Sequence, residues 1–282
     1  MKTAIDIARN MQRTAMARAQ AGGPAQLELW SEKVRALPNA LTRCALFTAG
    51  NNREERAKFE EHQIVSLQNF QVTYTGQELR QDDQDVFLQI VHLARGVPLG
   101  ARIEITGNAV LKVLGWGRSG EDYKRLRASL KRLKKGDLEV REQGKRGFIG
   151  SLIMTLSWEG EEDDSESGEG TSTQWTMSMD PKIIALFGQE DYTLIDWQTR
   201  LKLSPMAKWL HSFYVTHREP VPYKVATLHK LCGSRAKELK HFRATLKRAF
   251  EELKEVGFLA EYEVTVEMVT VKRRHATNML AS

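Results

Sequence analysis

Residues 224–274 read KVATLHKLCGSRAKELKHFRATLKRAFEELKEVGFLAEYEVTVEMVTVKRR, and this run decides the fold. Leu231-Cys232-Gly233-Ser234 is a turn. After it, Arg235 to Val256 places Leu239, Phe242, Leu246, Ala249, Phe250 and Leu253 at steps of three and four, one face of a helix. At roughly 100° per residue, Lys237, Lys240, His241, Lys247 and Arg248 fall on the opposite side. Beyond Gly257, Phe258 to Val264 and Met268 to Val271 are strand text, ending in Lys272-Arg273-Arg274. Short helix, turn, basic helix and hairpin in that order predict a winged helix-turn-helix, which lays its second helix in the DNA major groove. Glu251, Glu252 and Glu255 burden the far end of that helix. The N-terminal half, with Arg235, Lys237, Lys240 and His241, is therefore expected nearest the duplex.

The same order occurs earlier with different residues. Asp82 to Ala94 has helical periodicity, Arg102 to Ile105 is a short strand, and Asn108 to Leu114 a short helix closed by Gly115-Trp116-Gly117. Ser119 with Asp122 makes a capping box. The helix it opens carries Tyr123, Leu126, Leu130 and Leu133 on one face and Lys124, Arg127, Lys131, Arg132, Lys134 and Lys135 elsewhere. Strand text follows at Leu138–Arg141, Phe148–Trp158 and Gln174–Met179. The predicted fold class is α+β: two tandem winged-helix domains behind a short flexible N-terminal segment. That segment covers residues 1–35, the first domain 36–201 and the second 202–282. Lys202-Leu203-Ser204-Pro205 marks the boundary, with Ser204 as N-cap and Pro205 opening a helix. Within the first domain, residues 159–171 form an acidic low-complexity loop, expected to be solvated and to point away from DNA, because its carboxylates repel phosphate.

A chain of 282 residues with 41% hydrophobic content has room for two cores. Its net charge of +6 and pI near 9.2 suit a polyanionic partner. Cys44 and Cys232 lie far apart in apolar text and read as reduced, buried thiols of a cytosolic protein. No membrane span or signal peptide is apparent, and the basic, Ala/Met-rich Met1 to Arg18 reads as a loosely ordered tail. None of the seven histidines forms a ligand-spaced pair, neither cysteine has a ligand-spaced partner, and there is no phosphate loop. The expectation is no metal, no cofactor and no enzymatic activity.

Several stretches carry a resemblance to the TrfA-type replication initiators of broad-host-range plasmids. They are Lys202-Leu203-Ser204-Pro205 with His217-Arg218-Glu219-Pro220 and Leu231-Cys232-Gly233-Ser234; Val72-Thr73-Tyr74-Thr75-Gly76 with Glu78-Leu79-Arg80 and Asp82-Asp83; and Arg35-Ala36-Leu37-Pro38-Asn39 with Ala45-Leu46-Phe47-Thr48. The resemblance runs from about Gln26 to Arg274. It implies binding of double-stranded origin DNA at iterons, melting of an adjacent AT-rich segment with contact to its single strands, and recruitment of the host initiator and replicative helicase. It also implies a monomer–dimer equilibrium. Gln26-Leu27-Glu28-Leu29-Trp30 is similar to the pentapeptide by which such proteins engage the bacterial sliding clamp, with Gln26, Leu27, Leu29 and Trp30 as the docking residues; Trp30 departs from the usual Phe. The residues assigned to DNA are Lys124, Arg127, Lys131 and Lys134 in the first domain. In the second they are Arg235, Lys237, Lys240, His241, Arg243, Lys247, Arg248, Lys272, Arg273 and Arg274. A transcriptional repressor built from the same modules is the alternative; it needs neither the clamp peptide nor melting.

Overall fold

The computed structural model describes residues 27–51, 54–66, 70–98, 100–142, 147–159, 174–184, 192–217 and 219–274. Strand β1 (Val34–Pro38) runs into a single-turn helix α1 (Asn39–Thr42) and the short strand β2 (Phe47–Thr48). Two long strands, β3 (Lys58–Ile64) and β4 (Phe70–Gln77), precede β5 (Leu79–Arg80) and helix α2 (Gln81–Ala94). Strand β6 (Ile103–Thr106), helix α3 (Gly107–Leu114) and helix α4 (Gly120–Lys135) come next. Strands β7 (Asp137–Glu142), β8 (Gly147–Gly150), β9 (Thr155–Glu159) and β10 (Gln174–Ser178) follow. Helix α5 (Pro181–Ile184), strand β11 (Tyr192–Asp196) and helix α6 (Trp197–Leu201) lead out of the first half. The second half consists of α7 (Pro205–Val215), β12 (Tyr223–Lys224), α8 (Val225–Leu231), α9 (Leu239–Glu255), β13 (Leu259–Val264) and β14 (Met268–Arg273).

The two halves share one plan. In the second, β12 closes onto the hairpin to give the antiparallel order β12-β14-β13, behind α7, α8 and α9. In the first, β6 closes onto β10 to give β6-β10-β9, behind α2, α3 and α4. The difference is an insertion: β7 and β8 follow α4 and join β3 and β4 in a four-stranded antiparallel sheet, β3-β4-β7-β8. The run Phe148–Trp158, which reads as one strand, is thus two. Between β8 and β9 the chain crosses from one sheet to the other, with Leu152 and Ile153 buried and Ile153 N–H donating to Leu133 O.

Local chemistry sets the helix ends. Ser119 Oγ accepts Asp122 N–H and Asp122 Oδ2 accepts Ser119 N–H, the reciprocal capping box. Gly115, just past α3, sits at φ +66°, which a side chain disfavours. Pro205 opens α7 at its first turn, but Ser204 does not cap it with its side chain. Its hydroxyl and N–H both donate to the Glu252 carboxylate near the end of α9 (2.8 Å each), clasping the two helices. Helix α9 starts at Leu239, four residues later than its periodicity suggests. Gly233 turns at φ +63° and Glu238, the N-cap, is still extended at φ −115° and ψ 132°.

Two apolar clusters form the interior, one from Leu27 to Trp197 and one from Leu203 to Val271. In the second, Phe242, Leu246, Ala249, Phe250 and Leu253 of α9 are each no more than 1% exposed. Each large side chain buried this way contributes about 1.5–3 kcal/mol. The N-terminal boundary differs from the expectation of a flexible segment through residue 35. Leu27, Trp30, Val34, Ala36 and Leu37 belong to the first core, and β1 is fixed by antiparallel pairing with β11. Arg35 is buried there, with Nε donating to Gln89 Oε1 (2.9 Å) and its guanidinium 4.7 Å over Trp197; burial pushes its pKa down to about 10. Residues 1–26, including Gln26, and residues 160–171 of the acidic loop lie outside the described residues.

Candidate nucleic-acid interface

Helix α9 presents its cations away from the second core. Lys240, His241, Lys247 and Arg248 are exposed on it, and Lys237 is exposed on the run before it. Among the described residues, no ion pair engages Lys237, Lys240, Lys247 or Arg248, so their charge is available to an anion. His241 makes only a distant pair with Glu238, at 3.7 Å. Arg243 spans to the hairpin, donating to Val266 O at 3.3 Å, and so ties helix to loop. Tyr262 Oη on β13 donates to Glu251 Oε2 (2.9 Å) and bridges the same two elements from the other end.

Two arginines assigned to DNA, Arg235 and Arg273, are placed differently from that expectation, as is Arg132, expected on the surface of the first basic helix. Arg235 lies on the extended run before α9 rather than on the helix, and it turns back to the first half: Nη2 reaches Glu78 Oε2 at 2.6 Å and Nη1 donates to Glu55 O. Arg273 folds inward, donating to His217 O (2.9 Å) beyond the end of α7 and lying over Phe258. Burial lowers its pKa, and its charge serves the free carbonyls at that helix end. Arg132 of α4 points into the protein, where Nη2 meets Asp83 Oδ1 at 2.8 Å. Lys272, on the central strand β14, and Arg274, just past its end, remain exposed, with Lys272 3.7 Å from Glu261.

The first half's basic helix is more encumbered. Lys124 is exposed but shares Glu121 at 3.5 Å. Arg127 and Lys131 are half-buried, lying 5.5 and 5.9 Å from the ring centre of Trp158 on β9, itself 39% exposed. Such stacking spreads positive charge over an aromatic face at the surface. Lys134 is half-buried on the same helix. This face is cationic, but less open than that of α9.

Behind both faces lies a buried charged network that sequence reading missed. Every residue of α2 except Leu93 is buried, including Gln81, Asp82, Asp83, Gln84 and Asp85. Asp83 Oδ1 accepts Ser129 Oγ (2.7 Å) and Arg132 from α4, while Oδ2 accepts Arg56 and Arg80 N–H; with Arg125 3.5 Å from Asp82, α4 is held from behind by two neighbouring carboxylates. Arg56 also pairs with Asp82 at 2.9 Å. Burial pushes the Asp82 and Glu78 carboxyls up, but neighbouring guanidiniums and hydrogen bonds outweigh it and hold both below the ordinary range. The visible signal was the run Arg80-Gln81-Asp82-Asp83-Gln84-Asp85, which resembles a solvated helix start until its distant partners are known.

The clamp-like peptide is also placed differently from expectation. Leu27 (9% exposed) and Trp30 (8%) face the first core, and among the described residues of the peptide only Leu29, at 66%, is fully in solvent. Trp30 Nε1 donates to His92 Nδ1 at 3.0 Å, and His92 Nε2 pairs with Glu32 at 2.8 Å. Cys44 and Cys232 are both buried free thiols, with pKa raised to about 12 by burial. Among the described residues, no group of three or more His, Cys, Asp or Glu is arranged to hold a metal ion, and no helix is long and apolar enough to cross a membrane.

The molecule is thus a mixed helix and sheet protein of two similarly built halves, and its fold is similar to that of domains 2 and 3 of RctB. Two crystal structures of that region each align with a TM-score of 0.55: one at 16% identity over 79% of this chain and 94% of that one, the other at 14% over 82% and 95%. The family described as TrfA protein matches residues 22–273, and the chain belongs to it. A plasmid replication initiator protein TrfA of Escherichia coli is 30% identical over 246 residues, which cover 86% of this chain. The chain spans about 63% of the length of that relative.

Proposed function

We propose that the chain is a plasmid replication initiator that binds repeated origin DNA through two winged helix-turn-helix modules, the first within residues 27–201 and the second within 202–274. Helix α9 enters the major groove with Lys240, Lys247 and Arg248, and the β13–β14 hairpin forms the wing that carries Lys272 and Arg274. Helix α4 and Trp158 form the weaker second reader. The protein acts by binding in the bacterial cytoplasm, not by catalysis. It opens an adjacent AT-rich segment and passes it to the host initiator, replicative helicase and sliding clamp. The observation that carries this reading is the outer face of α9, where exposed Lys240, Lys247 and Arg248 have no ion-pair partner among the described residues while the inner face is seated in the core.

Footprinting on the parent plasmid tests it. Protection of direct repeats beside a segment that becomes permanganate-sensitive is expected; protection without melting would favour a repressor. If each half neutralises about four phosphates, log K against log salt falls with a slope of roughly −7. Replacing Lys124, Lys131 and Lys134 together with Gln should reduce that slope to about −4.5. An unchanged slope would remove the first half from the DNA.

Clamp docking through the Leu27–Trp30 region has to draw on exposed Leu29, because its neighbours are spoken for. Leu29→Asp is expected to abolish clamp binding with an unchanged melting temperature. Trp30→Ala instead empties a core site, costing about 3–5 kcal/mol and roughly 10 °C in Tm. Equal thermal effects of the two substitutions would refute this division of labour.

A further inference from the structure

The two halves are joined by a buried charged seam that takes no part in either cationic face. Arg200 on α6 is 0% exposed and lies between α2 of the first half and α7 of the second. Its Nε donates to Asp85 Oδ1 (2.6 Å) and its Nη2 to Gln81 Oε1 (3.1 Å) and Gln84 Oε1 (2.9 Å), while its Nη1 donates to Ser212 Oγ (2.7 Å) on the other side. Asp85 Oδ2 takes Lys208 Nζ of α7 at 2.5 Å.

A second set of contacts grips the turn that leads into α9. Ala49 N–H donates to Cys232 O (2.9 Å), and Arg235 is held by Glu78 at 2.6 Å. Thr48 packs so closely on Gly233 that a Cβ there would lie 2.6 Å from its methyl group. Arg43 Nε donates to Thr216 Oγ1 (2.8 Å) at the rim.

Units joined by a short linker move relative to one another by default, since their interfaces are usually small and wet. Here a hinge motion would strand buried charges without partners, a heavily penalised state.

We infer that this seam fixes the spacing and phase at which α4 and α9 meet DNA, so that the protein selects duplexes by the number of base pairs separating its two contact stretches. The inference rests on the reading that both halves bind DNA. Each inserted base pair shifts the second stretch by about 3.4 Å and turns it by roughly 35°. A hinged pair of modules follows such a shift, whereas a seamed pair cannot. Asp85, Glu78, Arg200 and Lys208 are then positioning residues, selecting DNA without touching it.

The test uses the full chain and duplexes carrying its footprinted site, intact or with one, two or three base pairs inserted between the protected stretches. The parent should lose about tenfold or more in affinity on a two-base-pair insertion. The Glu78→Gln/Asp85→Asn double variant should lose about threefold or less on the same duplex, and bind the intact site within about fivefold of the parent. Should the double variant fail to fold, Lys208→Met at the partly exposed rim carries the same expectation in weaker form. The proposal is overturned if the parent tolerates the insertions, or if a folded variant discriminates as sharply as the parent. A single protected stretch, unaffected by substitutions in α4, would sink the two-module reading and the seam's role with it.

Discussion

Lys240→Glu is expected to abolish specific origin binding, with at least about a hundredfold loss of affinity, while the far-UV circular dichroism and melting temperature stay at parental values. Lys240 is exposed on the first turn of α9, where side chains of a recognition helix approach base edges and phosphates. Reversing its charge removes one favourable phosphate contact and introduces a repulsive one, so the effect exceeds that of simple truncation. The fold should not respond, since no ion pair among the described residues uses this ammonium and the apolar stripe is on the opposite face. A competition assay at fixed salt measures it. Parental affinity would move the interface off α9 and leave the exposed cations without their assigned role.

Arg200→Met should cost about 3–5 kcal/mol in unfolding by denaturant, the largest stability loss expected of any single polar substitution in the seam. The guanidinium satisfies five polar partners at once, and its removal leaves Asp85 buried with Lys208 alone. Adding Asp85→Leu should restore much of the loss, because an apolar pair avoids the desolvation that the ions suffer. A loss below about 1 kcal/mol for the single variant would mean that the seam is not anchored as drawn. Acid acts on neighbouring carboxylates of the first half. The depressed pKa values of Glu78 and Asp82 give stability that is fully present above their unfolded values near 4 and drains away as pH falls through the lower folded ones.

The parts of this fold that are legible in sequence are those encoded by a segment's own periodicity. The stripe Phe242, Leu246, Phe250 and Leu253 reads directly as a buried face, and Ser119 with Asp122 reads directly as a helix start. Even so, Leu239, the first residue of that stripe, is 38% exposed, because the chain is still extended at Glu238. What sequence does not disclose depends on partners far along the chain. Gln81 to Asp85 read as a solvated helix start, yet the residues that bury them are Arg56, Arg132, Arg200 and Lys208. Trp30 reads as an accessible anchor, but its indole N–H is taken by His92, 62 residues away. Arg235 and Arg273 share the charge of their basic neighbours, and only their position relative to Glu78 and to the end of α7 separates them from the outward-facing cations.

The pairing of β1 with β11 also has a consequence for how the chain emerges from the ribosome. Val34 lies opposite Asp196 and Pro38 opposite Tyr192, so an early strand is completed by nearly the last segment of its half. At about 5–20 residues per second, β1 waits on the order of 10–30 s for its partner to be synthesised. During that interval Val34, Ala36 and Leu37 are exposed on an unpaired strand, and the first core cannot close around them. The second half needs no such wait: β12, β13 and β14 all lie within Tyr223–Arg273, so its sheet closes locally once that stretch is free of the tunnel. Nascent chains therefore pass through a long window in which β1 is open to chaperones or to a second copy of itself, and translation speed becomes a determinant of how much of the protein folds correctly.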